Sequence, residues 1–265
     1  MKSELIPKKT RILSNFRETS DIFTLILQIS GSYMPGQFVQ IGIPGIGECP
    51  ISVASYSKNH LKISIREVGK VTRALGKLRK NSFVYIRGPY GRGYPLVEFQ
   101  GKCLILIGAG CGVATLKSII EYIEYHREKY KDILLFFGYR NINDIIYKKE
   151  VNKWKNTFNI KIALSKENAK TCLDWDSGHI TDVIAELKLR TENTGVFICG
   201  PPKMINDTVE ILKKKGFNDE QIYVSTERLM YCSIGMCCHC MIRGKFTCTD
   251  GPVFRFDEIG YYKND

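Results

Sequence analysis

Five of the chain's ten cysteines fall between residues 232 and 248. With Cys238 set aside, Cys232, Cys237, Cys240 and Cys248 have the spacing C-x4-C-x2-C-x7-C. No other feature restricts the fold so much. Four thiolates that converge on one small inorganic core draw their segment into tight loops, and it has little room for helix or strand. The residues from 229 onward agree, showing little periodicity of either kind.

The first three positions match the C-x4-C-x2-C run of plant-type [2Fe–2S] proteins. Gly235 eases the turn and lets backbone N–H groups point at the sulfurs. The fourth ligand is expected from a nearby hairpin. Zinc is the competitor, but structural zinc sites pair two knuckles of C-x2-C or C-x2-H. Here a single C-x2-C overlaps a C-x4-C. A [2Fe–2S] cluster on Cys232, Cys237, Cys240 and Cys248 is therefore expected, with Cys238 a spare buried thiol and His239 turned away.

The opening residues carry positive charges with no apolar run behind them, so no signal peptide is expected and the cytoplasm is the expected location. In a reducing compartment, cysteines point to metal or redox work before disulfides. The longest apolar stretches, "CLILIGAG" and "DILLFFGY", are strand-length, so no membrane span is expected. The net charge is +12 and uneven. Residues 1–100 hold 15 basic and 6 acidic side chains, residues 101–220 hold 19 and 16, and residues 221–265 hold 5 and 5. A basic front half fits a nucleic acid, an acidic protein partner or a solvated surface. A zinc-containing nucleic-acid-binding protein is thus one alternative. Its basic residues are not interleaved with aromatics on one face, and no nucleic-acid partner is expected.

Residues 1–98 read as short strands broken by Pro35-Gly36, Pro44-Gly45 and Gly88-Pro89, the pattern of a small antiparallel β-barrel. From residue 101 strands alternate with helices, the signature of an α/β unit with a parallel sheet covered on both faces. "QIYVST" reads as its last strand. The expected division is a barrel over 1–98, an α/β domain over 99–228 and a cluster segment over 229–265.

"LILIGAGCGVATLKSII" is a strand, a Gly-rich turn and a helix. Gly108, Gly110 and Gly112 let the backbone approach a pyrophosphate, and N–H groups from about Val113 bind it. The spacing is G-x-G-x-G, which tight packing alone also explains. "FICGPPKM" ends another strand on the same rim, so Cys199, Gly200 and Pro201 are candidates to face a nicotinamide ring. In the barrel, Gly69, Lys70, Val71 and Thr72 open a helix as a second anion cradle.

Together, a barrel followed by an α/β domain carrying "CGPPKM" resembles the ferredoxin–NADP reductase superfamily. The added cluster segment narrows the resemblance to its electron-transfer subunits, those of dihydroorotate dehydrogenase, hydrogenase and sulfhydrogenase and the B subunits of anaerobic sulfite reductase. The last group looks closest, through "GECPISVASY", "IREVGKVTRAL", "GPYGRGYP", "GYRNINDIIYKKE", "ERLMYCSIGMCCHC" and "CTDGPVF". The similarity spans about residues 9–259.

The resemblance implies an oxidoreductase that uses FAD, NADH and a [2Fe–2S] cluster. Its partners would be an iron–sulfur electron-acceptor subunit and a sirohaem-containing sulfite reductase subunit; a dihydroorotate dehydrogenase or hydrogenase partner is the alternative. The superfamily's R-x-Y-S motif falls on Cys49-Pro50-Ile51-Ser52, so the arginine and the tyrosine are absent and Ser52 remains. Lys70, Val71 and Thr72 would hold the pyrophosphate of FAD. Glu227 matches a carboxylate near flavin and nicotinamide, and it and Cys199 are the residues expected to act in catalysis. Arg140 and Lys166 stand where a 2′-phosphate would want a cation, but the resembled family uses NADH.

Overall fold

The computed structural model describes residues 5–29, 31–167 and 175–262. Six strands form the first unit: β1 (Lys8–Arg17), β2 (Ile22–Leu27), β3 (Phe38–Ile43), β4 (Gly47–Ser52), β5 (Leu61–Arg66) and β6 (Phe83–Tyr90), with helix α1 (Lys70–Gly76) between the last two. The order is β4-β3-β6-β1-β2-β5, every pairing is antiparallel, and a bridge between Val53 and Ile63 brings the two edges together. Alternation turns Val39, Ile41, Ile63, Ile65 and Val84 into the barrel core.

The second unit runs through β7 (Cys103–Ala109), α2 (Gly112–Tyr125), β8 (Ile133–Tyr139), α3 (Lys148–Thr157), β9 (Asn159–Leu164), β10 (Asp176–Ser177), α4 (Ile180–Glu186), β11 (Thr194–Cys199), α5 (Pro202–Lys214) and β12 (Ile222–Ser225). Strands β7 and β11 are apolar at almost every position because helices cover both faces of this sheet. Residues of α2 and α3 pack on one face, and those of α4 and α5 on the other.

"QIYVST" is not the last strand. A hairpin of β13 (Met241–Ile242) and β14 (Lys245–Phe246) lies inside the cysteine-rich tail, and β15 (Val253–Arg255) then returns to the sheet, followed by α6 (Phe256–Ile259). The sheet order is β10-β9-β8-β7-β11-β12-β15, with β15 antiparallel to β12. Three-residue β15 is too short to show alternation, so its pairing follows from the loop geometry before it. No helix among the described residues is long and apolar enough to cross a membrane.

The two units meet through α2. Its Lys117 is 1% exposed, reaches the Ala54 carbonyl at 3.4 Å and pairs with Glu121, which also accepts from the Tyr56 amide at 2.7 Å. Burial lowers the Lys117 pKa, and the Glu121 charge opposes that. Replacing Glu121 with Gln strands a buried ammonium, and chemical denaturation should show a loss of about 3 kcal/mol.

Candidate functional site

Strand order reverses between β7 and β11, the point at which open α/β sheets form a ligand crevice at their carboxyl ends. Register places Cys199 beside Gly108 on one side and Ser225 on the other. A Cβ on Gly112 would stand 2.4 Å from the Cys199 carbonyl oxygen, so the start of α2 lies directly against the end of β11. Gly110 takes φ +54, a conformation few side chains tolerate, and a Cβ there would meet the Arg66 guanidinium at 3.2 Å. Gly108, Gly110, Gly112 and the buried Val113 thus share one rim with Cys199, Gly200 and Pro201.

Burial pushes the Cys199 thiol up to about 12, with Glu227 adding to it and hydrogen bonds to Thr115 and Ser225 pulling back. A neutral thiol there offers a packing surface and is no nucleophile. Glu227 follows β12. It is open to solvent yet crowded by protein, so desolvation raises its carboxyl and Arg66 partly restores it. Arg66 also reaches Gly110, which brings Glu227 to the same rim. Arg66, paired to Asp21 at 3.3 Å, is a member of this rim that sequence reasoning misses, because it reads there as an ordinary strand-end charge. Arg140 is paired with Asp144 at 3.0 Å, and the Lys166 amide donates to the Arg140 carbonyl at 2.7 Å.

In the barrel, Pro50 and Ser52 are half-buried and lie opposite Gln40 and Phe38 of β3, on the outer face. Cys49 and Ile51 pack against the barrel core, the opposite face, and burial raises the Cys49 thiol to about 11. Helix α1 begins beside β4, with Val71 3.1 Å from a Cβ on Gly47, and open space surrounds Gly69. The Thr72 hydroxyl accepts from the Gly69 amide at 2.9 Å and the Val68 amide at 3.0 Å. It caps its own helix, and Lys70 is exposed beside it.

The cysteine segment docks on the outer face of β3 and β6. Buried Cys240 and Cys248 pack with Phe38, Tyr90, Met230, Ile234 and Phe246. The Cys240 thiol donates to the Cys248 sulfur at 3.3 Å, and Cys237 donates its amide to the Cys232 sulfur at 3.4 Å. The Cys237 thiol also makes a side-chain hydrogen bond with Cys232, so the sulfurs fall into two pairs. Further amides point at them, from Ile234 and Met236 to Cys232 at 3.5 and 3.3 Å and from Gly235 to Cys248 at 3.2 Å. Gly235 has φ +74, as the turn requires. Backbone hydrogen bonds at Cys232 and His239 bring the Cys237 thiol down to about 7. Burial and the neighbouring Cys240 push Cys248 up to about 12. An adjacent cation, such as an iron ion, would favour the ionised form of Cys248. Among the described residues no three His, Cys, Asp or Glu side chains gather as a single metal ion needs. Two pairs with amide donors suit the two irons of a binuclear core.

Cys238 is exposed, not buried: its φ of +61 turns the thiol outward toward the Met236 carbonyl. His239 is also exposed; its ring lies against Tyr231, and its Nδ1 is bonded to the Cys237 carbonyl at 3.0 Å. Cys248, expected as the fourth ligand, follows a hairpin that turns at Arg243 and Gly244 with φ +46 and +80.

Family models described as the oxidoreductase NAD-binding domain and the iron-sulfur cluster binding domain of dihydroorotate dehydrogenase B match residues 106–210 and 227–260. The sulfhydrogenase 1 subunit gamma of Pyrococcus furiosus is 38% identical over 239 residues, covering 86% of this chain and 81% of that protein. The probable dihydroorotate dehydrogenase B (NAD(+)), electron transfer subunit, of the same organism is 32% identical over 222 residues, covering 84% and 79%. Among solved structures, a chain of the NADH-dependent reduced ferredoxin-NADP oxidoreductase superposes with a TM-score of 0.80 at 24% identity, covering 95% of this chain and 90% of that one. A ferredoxin NADP+ reductase from Neisseria gonorrhoeae, with bound FAD and NADP, gives 0.71 at 20% identity, covering 82% and 97%.

Proposed function

The chain belongs to the family of sulfhydrogenase gamma subunits and dihydroorotate dehydrogenase B electron-transfer subunits, and from that membership we propose that it passes electrons from NADH, through FAD and a [2Fe–2S] cluster, to a partner subunit. It is an oxidoreductase module of the NAD(P)H and FAD reductase kind with an iron–sulfur segment. One observation carries the proposal. The paired cysteines are packed on the barrel face where Pro50 and Ser52 lie, one strand away from β4.

In this reading Gly108, Gly110 and Gly112 admit the pyrophosphate of NADH to the first turn of α2, where Val113 lies with its amide on the Gly110 carbonyl at 3.3 Å. Cys199, Gly200 and Pro201 floor the nicotinamide. Glu227, at the mouth of the crevice, sets a carboxylate beside its edge. Ser52 offers its hydroxyl to the flavin, and Pro50 and Ile51 hold the strand that carries it. Lys70, Val71 and Thr72 take the FAD pyrophosphate with main-chain amides, and Gly69 leaves open space for it, its own amide being bonded to the Thr72 hydroxyl. FAD, when bound, takes two electrons together and releases them singly. Cys232 and Cys237 would hold one iron, Cys240 and Cys248 the other. The division at residues 98 and 228 is part of the same proposal.

The relatives favour a partner of the hydrogenase or dihydroorotate dehydrogenase kind over the sirohaem sulfite reductase subunit that the motifs suggested. They also leave the zinc-containing nucleic-acid binder without support. Exposed Leu229, Tyr231, Met236 and Met241 around the ligand loop suit hand-off to another subunit. NADH as the donor fits the NAD(+) in one relative's name.

Anaerobic titration of the reconstituted protein tests this. NADH should bleach the flavin and cluster bands in turn and leave a paramagnetic binuclear cluster. A colourless protein with stoichiometric zinc, or a flavin that NADH reduces without any change at the iron, would overturn it.

A further inference from the structure

We propose that Gln40 and Arg87 clamp the cluster loop to the flavin-bearing face of the barrel, making Arg87 a positioning residue for electron transfer from flavin to cluster. The inference rests on the electron path proposed above.

Pro50, Gln40 and Arg87 form one row across β4, β3 and β6. Neighbouring strands lie about 4.8 Å apart, so the row spans about 10 Å from the flavin strand to the arginine. Gln40 is fully buried. Its amide donates to the Met230 carbonyl at 3.0 Å and the Ser233 hydroxyl at 2.8 Å. Arg87 is 7% exposed, and all five of its N–H donors are used. Nε donates to Glu48 Oε2 at 3.0 Å, and one Nη2 hydrogen goes to Glu48 Oε1. The other reaches the Tyr231 carbonyl at 2.7 Å. Nη1 donates to the Cys232 carbonyl at 2.8 Å and to the Tyr90 hydroxyl at 3.3 Å.

Two barrel side chains thus hold four consecutive residues, 230–233, which end on the first cluster ligand and its neighbour. Residues 226–240 form no helix or strand, so the loop has no ladder of its own to define its place. Glu48 orients the guanidinium from β4 itself and offsets its charge. Lysine has the charge but not the planar fork, and it cannot reach both carbonyls, Glu48 and Tyr90 together.

The test uses the reconstituted protein and Arg87→Lys, with Gln40→Met as the second variant. In wild type, NADH should reduce flavin and then cluster; a cluster that stays oxidised would overturn the electron path itself, whatever the variants do. In Arg87→Lys the rate of flavin reduction by NADH should be unchanged. Cluster reduction should slow at least ~10-fold, in the range that loss of supporting groups costs. The cluster's paramagnetic spectrum should broaden, and amides of residues 234–237 should exchange faster with solvent. Gln40→Met should shift the same readouts in the same direction, and decides the matter if Arg87→Lys does not fold. Wild-type cluster reduction, spectrum and exchange in the variants would overturn the clamp. So would a fall in flavin reduction equal to the fall at the cluster.

Discussion

Cys240→Ser should leave a protein whose flavin NADH still bleaches but which holds no stable cluster. Cys240 lies 3.3 Å from Cys248, among Phe38, Tyr90 and Phe246. Serine there offers a hydroxyl, a far poorer ligand than thiolate for iron in this setting, and sets it in an apolar pocket. One iron would keep a single protein ligand from its pair. Loss of a supporting group alone costs about 10–100-fold in metal affinity, so loss of a ligand should exceed about 100-fold, and one-electron transfer to an external acceptor should fall as far. Iron analysis, the visible spectrum and parallel assays of flavin reduction and one-electron transfer check this. Cys238→Ser is the control. Its thiol faces outward, so iron content and both rates should match wild type. A cluster lost from Cys238→Ser, or kept in Cys240→Ser, would reassign the ligands.

Gly112→Ala should disable the dinucleotide site. Gly112 opens α2, where alanine would be favoured on helix propensity by about 1 kcal/mol. Packing opposes it. The new Cβ would stand 2.4 Å from the Cys199 oxygen, 2.7 Å from its carbonyl carbon and 2.9 Å from the Gly200 amide. All three are backbone atoms, and no rotamer relieves the contact. The helix must draw back from β11, which costs about 1–3 kcal/mol or more and outweighs the gain in propensity. The same retreat widens the turn proposed to admit the pyrophosphate. Thermal unfolding should move down by several degrees. The KM for NADH in flavin reduction should rise by at least tenfold. Unchanged KM and stability together would show that the start of α2 does not pack as described.

The antiparallel barrel and the parallel sheet are legible in the residues themselves, because strand alternation and strand–helix rhythm are local. The Gly108–Gly112 turn and the spacing of the four cysteines are legible for the same reason. Two further local signals are easy to pass over. Lys117 sits on the apolar face of "GVATLKSIIEYI", and Arg87 interrupts the apolar strand "FVYIRG"; both are buried charges with built partners. Cys238 reads as a buried thiol yet is exposed, because spacing does not report the sign of a backbone angle, and its positive φ turns the thiol out.

Element types and their order as far as β12, the cysteine spacing and the glycines that special backbone demands are thus written along the chain, whereas β15 is not. The resting place of the cluster segment is not. That segment follows the α/β domain in the chain yet lies on the barrel, held by Gln40 and Arg87 from about 145 to 190 residues away. Contacts at such separations have no period along the chain, and their partners are carbonyls that every residue type supplies. They depend on two folded surfaces fitting together, and they set the distance between β4 and the four cysteines.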